Sequence, residues 1–329
     1  RLSNLFSVHP ILLPDQVMLM LKTVTSLVRV NGREIRLTNL DKVLWPTTGG
    51  TGWTKRDYLH YLQEVCDFML PYYEARPLVV TRYPHGAGHP GFYQKNRPIG
   101  TPEWIPVFPY ISSKTGERTD FLVLDDRATL IWLGNSAAIE LHPWLSTVDH
   151  PQYPDRMVID LDPAEGATFD DVVQVAKLVR KLLEHLNWPG FLKTSGATGL
   201  HIFIPIQPRW EYGKVAELGR QLGLLIQELM PERVTLERMV AKRRGKVYFD
   251  YLQNGLGKTL VGPYSVRPLC DAPVSCPVHW DELGTFHPSD FRMDTVPERL
   301  AKVGDPFRPM LDQRLNVDLS AAMKQFGIL

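Results

Sequence analysis

"RMVIDLDPAEG", residues 156–166, decides the reading of this chain. Met157, Val158, Ile159 and Leu161 want a core, and the run reads as a buried strand. Asp160 and Asp162 do not fit that setting, because an unpaired buried carboxylate costs several kcal/mol or neutralises. Side chains alternate along a strand, so the two acids share a face, roughly 7 Å apart. Two carboxylates so placed repel each other unless something cationic sits between them.

Asp250, in "YFDYLQN" (248–254), repeats the anomaly. It reads as a mid-strand acid with Phe249 and Tyr251 on the opposite face. Three strand-borne carboxylates could converge on divalent cations, since Mg²⁺ and Mn²⁺ take hard oxygen ligands and leave room for substrate phosphates. Two such ions, about 4 Å apart, clamp the attacking and leaving oxygens of phosphoryl transfer. Taken alone, Asp-x-Asp is more often a buried ion pair or a capping loop than a metal site.

A third feature is "KTSGATGLHIFIPI" (193–206), which reads as strand, glycine turn, strand. Gly196 and Gly199 would let backbone N–H groups approach an anion. Ser195 and Thr198 add hydroxyls, and Lys193 and His201 can add charge. It is not a Walker sequence, and an ordinary glycine turn is the plainer reading. Arg267 in "GPYSVRP" and His142 in "ELHPW" are polar groups among apolar neighbours, more often structural than ligating.

Working outward, "SLVRVNGREIRLTNL" (26–40) alternates about Asn31-Gly32 and predicts a hairpin. "TKRDYLHYLQEVCDFMLPYY" (54–73) predicts a helix capped by Thr54, with Tyr58, Leu62, Val65 and Met69 on one face. "ATFDDVVQVAKLVRKLLEHL" (167–186) predicts another, with Thr168 and Asp171 as a capping box and Val172, Val175, Val179, Leu182 and Leu186 as its stripe. "RPLVVTRYP" reads as a strand, "TDFLVLDDRATLIWLGN" as strand then helix, and "GKVAELGRQLGLLIQELM" as a helix. Strands and helices interleave without strict βαβ order, which implies an α+β fold with mixed sheets.

The 329 residues carry a net charge of +1, so no global basic field draws nucleic acid and any such contact must be local. Three cysteines argue against a disulfide framework and fit a reducing, cytoplasmic compartment. No run of 18 apolar residues suggests a membrane span. "HPILLPDQVMLMLKTV" (9–24) is apolar but broken by Pro14 and Asp15, unlike a signal peptide. Residues 1–27 are expected to be a leader or the tail of a preceding segment, with one domain over 28–329. Cys270, Cys276 and His279 offer three irregularly spaced ligands where structural zinc takes four, so they read as small buried residues.

"HPW", "DLDP", "SGATGLH", "FDYLQN" and "PYSVRP", in that order, resemble the polymerase domain of bacterial ligase D. That domain belongs to the archaeo-eukaryotic primase superfamily and works with Ku in non-homologous end joining. The resemblance implies a primase-polymerase fold, mixed and antiparallel sheets flanked by helices around a cleft. It implies a bacterial, nucleoid-associated enzyme that fills gaps at double-strand breaks, prefers ribonucleotides, and uses two Mn²⁺ or Mg²⁺ ions beside a DNA ligase domain or protein.

By the same resemblance, Asp160, Asp162 and Asp250 would be the catalytic metal ligands. Ser195, Gly196, Thr198, His201 and Arg267 would hold the triphosphate, and His142 would line the nucleotide pocket. Lys42 in "LDKVLWP" and Lys55 in "TKRDY" would grip a 5′-phosphate on the DNA. Phe92 and Tyr93 in "GFYQKN" would stack beside the primer-template, at roughly 1 to 3 kcal/mol per base. Arg243 and Arg244 in "AKRRGK" would touch backbone or template. The stretch "PTTGGTGWTKRDY" is longer than the family leads one to expect, which bears on Lys55.

Two rivals stand. An Asp160 nucleophile would make a phosphatase, but Pro163 and the unexplained Asp250 and "SGATGLH" weigh against it. A non-catalytic DNA-end binder would not need an intact acid triad.

Overall fold

The Asn31-Gly32 hairpin forms as its sequence dictates: both residues take positive φ (47° and 76°), the geometry of a two-residue turn between twisted strands. The computed structural model describes residues 25–47, 49–113 and 115–329. Most of residues 1–27 lies outside these, but strand β1 already begins at Thr25, ahead of the expected boundary at residue 28.

In chain order, β1 (Thr25–Val30) and β2 (Arg33–Thr38) form the hairpin, and β3 (Val43–Trp45) pairs with β4 (Trp53–Thr54). Helix α1 (Lys55–Met69) follows, capped by a full Thr54–Asp57 capping box. Next come β5 (Pro77–Arg82), β6 (Phe92–Gln94), β7 (Val107–Ile111), β8 (Arg118–Val123), α2 (Arg127–Asn135) and β9 (Ala138–Pro143). Then β10 (Arg156–Pro163), α3 (Phe169–His185), β11 (Phe191–Thr194), β12 (Leu200–Pro205) and α4 (Tyr212–Leu229). The chain continues through β13 (Val234–Thr235), β14 (Val247–Asp250), β15 (Pro277–Val278), α5 (Val296–Val303) and α6 (Ser320–Gln325).

Two sheets carry the fold. One runs β13-β14-β10-β12-β11-β15, antiparallel except for the β13–β14 pair. The other is built on β5, which pairs β9 along one edge and β6 and β8 along the other. Helices α3 and α4 pack against β10. Gly219 of α4 leaves room there: a Cβ would come within 3.3 Å of Met157 Cε. The odd-numbered residues of β10 thus face the helices, and the even-numbered acids face away from them.

The α3 capping box is present as expected. Its buried stripe ends at Leu183, with Leu182 and Leu186 only half-buried. Of the cysteine group, only Cys276 is buried; Cys270 and His279 are exposed, which corrects the reading of all three as small buried residues. No helix among the described residues is long and apolar enough to cross a membrane.

Candidate active site

The antiparallel register of β10 and β14 sets Asp160 directly opposite Asp250, with Asp162 one pleat further along the same face. Asp250 is the last residue of β14, not a mid-strand residue, because the chain turns away there. Its carboxylate holds that turn: Oδ1 accepts the Leu252 N–H at 2.8 Å and Oδ2 accepts from Gln253 Nε2 at 3.0 Å. Among the described residues no three His, Cys, Asp or Glu side chains stand together as a preformed metal cage, and this engagement of Asp250 is one physical reason.

Asp160 is 4% exposed, and its Oδ1 is buried without a hydrogen bond. Burial, then the nearness of Asp162 and Asp250, raises its pKa well above the usual carboxylate range. Asp162 is raised for the same reasons, burial first and Asp250 second. The nearest basic group to Asp160 is His201 Nε2, 3.4 Å away. Burial and Lys193 push the His201 pKa well down, so this contact is not an ion pair. An orphaned buried oxygen between two further acids suits a hard cation, which would keep the carboxylates ionised.

His201 is set by its strand. It lies opposite both Asp160 and Lys193 in register, and Lys193 Nζ stands 2.8 Å from its Nδ1. Lys193 is fully buried and also reaches Ser275 Oγ at 2.5 Å. Sequence reasoning noted Lys193 only as a source of charge; its lack of exposure is a tertiary property of a sheet centre.

The glycine turn between β11 and β12 closes over this face. Ser195 Oγ accepts the N–H groups of Ala197 (3.2 Å) and Gly199 (3.0 Å), so its hydroxyl shapes the turn. Gly196 takes φ 74°, and a Cβ there would meet Arg267 Cγ at 2.6 Å. A Cβ on Gly199 would meet Leu161 O at 2.4 Å and Asp162 Oδ1 at 2.8 Å. The turn is therefore pressed onto the acid strand in a way only glycine permits. Thr198 is exposed at its tip.

Arg267 joins the two sheets. Its Nε donates to Glu140 Oε1 on β9 at 2.9 Å and its Nη1 to Ser195 O at 2.7 Å. Glu140, buried and paired to this arginine, was missed from the sequence; "IELHP" held a buried acid two residues before His142, and that was the available signal. His142, also on β9, stands 3.0 Å from Thr81 Oγ1, and burial lowers its pKa to about 4. The exposed ring of Tyr93 lies 6.0 Å from it, centroid to centroid.

Phe92 and Tyr93 are 46% and 62% exposed, an unusual state for neighbouring large aromatics. Arg82, also missed from the sequence, lies over the Phe92 ring at 5.6 Å.

Lys42 and Lys55 come together despite the long stretch between them. The Lys55 backbone N–H donates to Lys42 O at 2.9 Å. Lys42 Nζ donates to Pro84 O, and Lys55 Nζ to Asn135 O at 2.7 Å. Burial, then Lys42 and Arg82, lowers the Lys55 pKa to about 8. Three cations thus crowd the N-terminus of α1, where the helix dipole adds further positive potential.

Arg243 lies back over Tyr248, its guanidinium 3.4 Å from the ring centroid, and donates to Glu237 O and Arg238 O. Arg244 is exposed and 3.8 Å from Glu165.

The sequence and the fold have counterparts in known proteins. The family model for the LigD primase-polymerase domain matches residues 54–307. The chain belongs to this family. It is 33% identical over 294 residues to the bifunctional non-homologous end joining protein LigD of Bacillus subtilis, covering 89% of this chain and 46% of that protein. It is 33% identical over 278 residues to the multifunctional LigD of Mycolicibacterium smegmatis, covering 84% of this chain and 36% of that one. The chain therefore spans less than half the length of each of these relatives. The polymerase domain from Mycobacterium tuberculosis ligase D, solved in complex with DNA, superposes with a TM-score of 0.77 at 29% identity, over 84% of this chain and 98% of that domain. The primase-polymerase fold expected of the LigD family is thereby established.

Proposed function

We propose that this chain is a template-directed nucleotidyltransferase of bacterial non-homologous end joining, which adds nucleotides to a 3′-OH and fills gaps at broken DNA ends. The observation that carries this reading is the Asp160–Asp250 register, with Asp162 on the same face beside a phosphate-compatible glycine turn. A relative described as a polymerase domain in complex with DNA supports it.

In this reading Asp160, Asp162 and Asp250 hold two divalent ions, Mn²⁺ or Mg²⁺. When bound, the ions would supply the positive charge that stabilises the attacking and leaving oxygens of in-line phosphoryl transfer. Arg267, fixed by Glu140 and Ser195 O, orients the triphosphate together with the Gly196 and Thr198 part of the turn, the Ala197 and Gly199 N–H groups being held by Ser195 Oγ. Neutral His201 donates or accepts a hydrogen bond at its edge without adding a competing charge. His142 and Tyr93 bound the base side. Tyr93 and Phe92 offer stacking surfaces to the primer-template. Lys42, Lys55 and Arg82 receive the downstream 5′-phosphate, whose charge would relieve the mutual repulsion of these cations. Ku and a ligase domain or protein are the partners this role calls for.

The phosphatase alternative asks for an accessible nucleophile, and Asp160 is buried opposite another acid. The test is incubation with labelled primer-template, Mn²⁺ and each nucleotide. Extension that is lost on Asp160→Ala, Asp162→Ala or Asp250→Ala, with DNA binding retained, supports the proposal. DNA binding without extension by the wild type would leave the chain a non-catalytic end binder.

A further inference from the structure

A second charged cluster stands at the opposite end of β10 from the acids. Asp155, Arg156 and Arg76 line a cavity of about 360 Å³, to which Met310 and Leu311 also contribute. Arg156 and Asp162 are six residues apart along an extended strand, so the cavity lies about 20 Å from the acid face. It is not part of the site described above.

The charges in this cavity do not balance. Arg76 is 4% exposed and Arg156 6%. Arg76 donates through Nη1 and Nη2 to both oxygens of Asp155, at 2.8 and 2.5 Å. That bidentate pair uses up the one carboxylate, which Arg76 and Arg156 hold ionised against its burial. Arg156 makes a 3.9 Å approach from its Nε to the same carboxylate, one hydrogen bond, Nη1 to Tyr72 O at 3.0 Å, and a cation–π contact with the Tyr72 ring at 5.9 Å. Arg156 makes no second hydrogen bond among the described residues, and Arg76 Nε is buried without a partner. Asp305 accepts the hydroxyls of Tyr72 and Tyr264.

Burial and the neighbouring Arg76 lower the Arg156 pKa to about 9, which still leaves it protonated at neutral pH. A buried guanidinium that must share its one counter-ion with a second arginine is an unfavourable arrangement. The cavity beside it has polar walls from Thr147, Gln313 and Asn316 and stiff ones from Pro71, Pro205 and Pro208.

We propose that this cavity is a binding site for a small oxyanion of the phosphate type, received by the free edge of Arg156 and by the hydroxyl and amide groups of Thr147, Gln313 and Asn316. A guanidinium edge matches tetrahedral oxyanions in geometry as well as charge. The anion could be free phosphate or a backbone phosphate of bound DNA, which share this chemistry.

The test is thermal unfolding of the metal-free protein in inorganic phosphate and in chloride, at matched ionic strength. Phosphate at about ten times its Kd should raise Tm by about 2–4 °C. Thr147→Glu, which places a carboxylate in the cavity, should remove the phosphate response, as should Arg156→Gln. Arg267→Ala and Lys42→Ala should keep it, because they alter other phosphate-compatible groups. If Arg156→Gln does not fold, Thr147→Glu decides. No phosphate response in the wild type overturns the proposal. So does a response that survives Thr147→Glu, or one abolished by Arg267→Ala or Lys42→Ala. Once the response is mapped to the cavity, binding of blunt duplex DNA separates the sources. A fivefold or greater loss of DNA affinity in Thr147→Glu assigns the site to backbone phosphate, and unchanged affinity assigns it to the free anion.

Discussion

Asp160 and Asp250 face each other across neighbouring antiparallel strands, the one position in a sheet where like charges are most costly. The fold accepts an unfavourable pair at its centre, and the expected outcomes below follow from that pair and the groups around it.

Asp160→Asn should make the metal-free protein more stable and the enzyme inactive. A carboxyl whose folded pKa lies above its unfolded value favours folding below the unfolded pKa and loses that contribution as pH rises through the folded pKa. The wild type therefore carries a penalty at pH 8 that is absent at pH 4, and the amide does not. In chelator, Tm of Asp160→Asn should exceed wild type by a few degrees at pH 8, with little difference at pH 4. Nucleotide addition should fall at least about a hundredfold. An unchanged or lower Tm at pH 8 would show that Asp160 is already satisfied in the free protein.

His142 should make the protein acid-labile. Burial lowers its pKa from the ordinary 6.5 to about 4 on folding, so between these values the unfolded chain binds more protons. Stability is then complete above pH 6.5 and declines as pH is lowered toward 4, by about 3 kcal/mol in all. Asp160 and Asp162 titrate in the opposite sense, so the informative quantity is wild type minus His142→Gln. Urea unfolding at pH 7 and 4.5 should show that difference shrinking in acid.

Recognition of a 5′-phosphate should weaken in alkali. The free Lys55 begins to lose its proton near pH 8, whereas a bound phosphate would hold it charged. Affinity for a gapped DNA with a 5′-phosphate should fall by up to about tenfold per pH unit above 8, and affinity for the dephosphorylated gap should not. Lys42→Ala should cost about 1 to 3 kcal/mol of the phosphate-dependent binding. Fluorescence anisotropy on the two substrates measures both, and a flat pH profile would exclude Lys55 from the contact.

Gly199→Ala should disable the site while sparing most of the fold. The added methyl meets a backbone oxygen at 2.4 Å and the Asp162 carboxylate at 2.8 Å, so strand or acid must move. Displacements of this order cost about a hundredfold in rate. A folded Gly199→Ala variant with wild-type kcat would show that the turn can back away freely.

Ribonucleotides should be preferred over deoxynucleotides, and Mn²⁺ over Mg²⁺. The ratio of kcat/KM for ATP and dATP on one template, in each ion, decides it, and a deoxy preference refutes it.

Much of this molecule was legible along the chain because its signals are local. Asn31-Gly32, Thr54 with Asp57, and Thr168 with Asp171 each act within four residues, so hairpin and helix starts could be placed before any contact was known. The acids were legible because a carboxylate inside "MVIDL" contradicts its neighbours. What was not legible depends on partners distant in sequence. Glu140 matters because Arg267, 127 residues on, reaches it. Arg82 joins the lysines because β5 pairs with both β6 and β9. Asp250 looked like a mid-strand residue because "VYFDYL" keeps its apolar pattern past the point where hydrogen bonds to Leu252 and Gln253 end the strand.

The single backbone hydrogen bond from Lys55 to Lys42 has a consequence for how this surface can change over time. The β3–β4 pair above it holds the strands of the segment, so only the turn between them is a closed loop, and its closure cost grows slowly with length, about 0.6 kcal/mol per doubling. Gly49 and Gly50 are exposed at the end of that turn, so residues inserted or removed there are expected to leave both ammonium groups in place. The loop is thus a place where related chains can diverge in size, or where a reporter peptide can be grafted, while the cationic pair beneath it keeps its spacing.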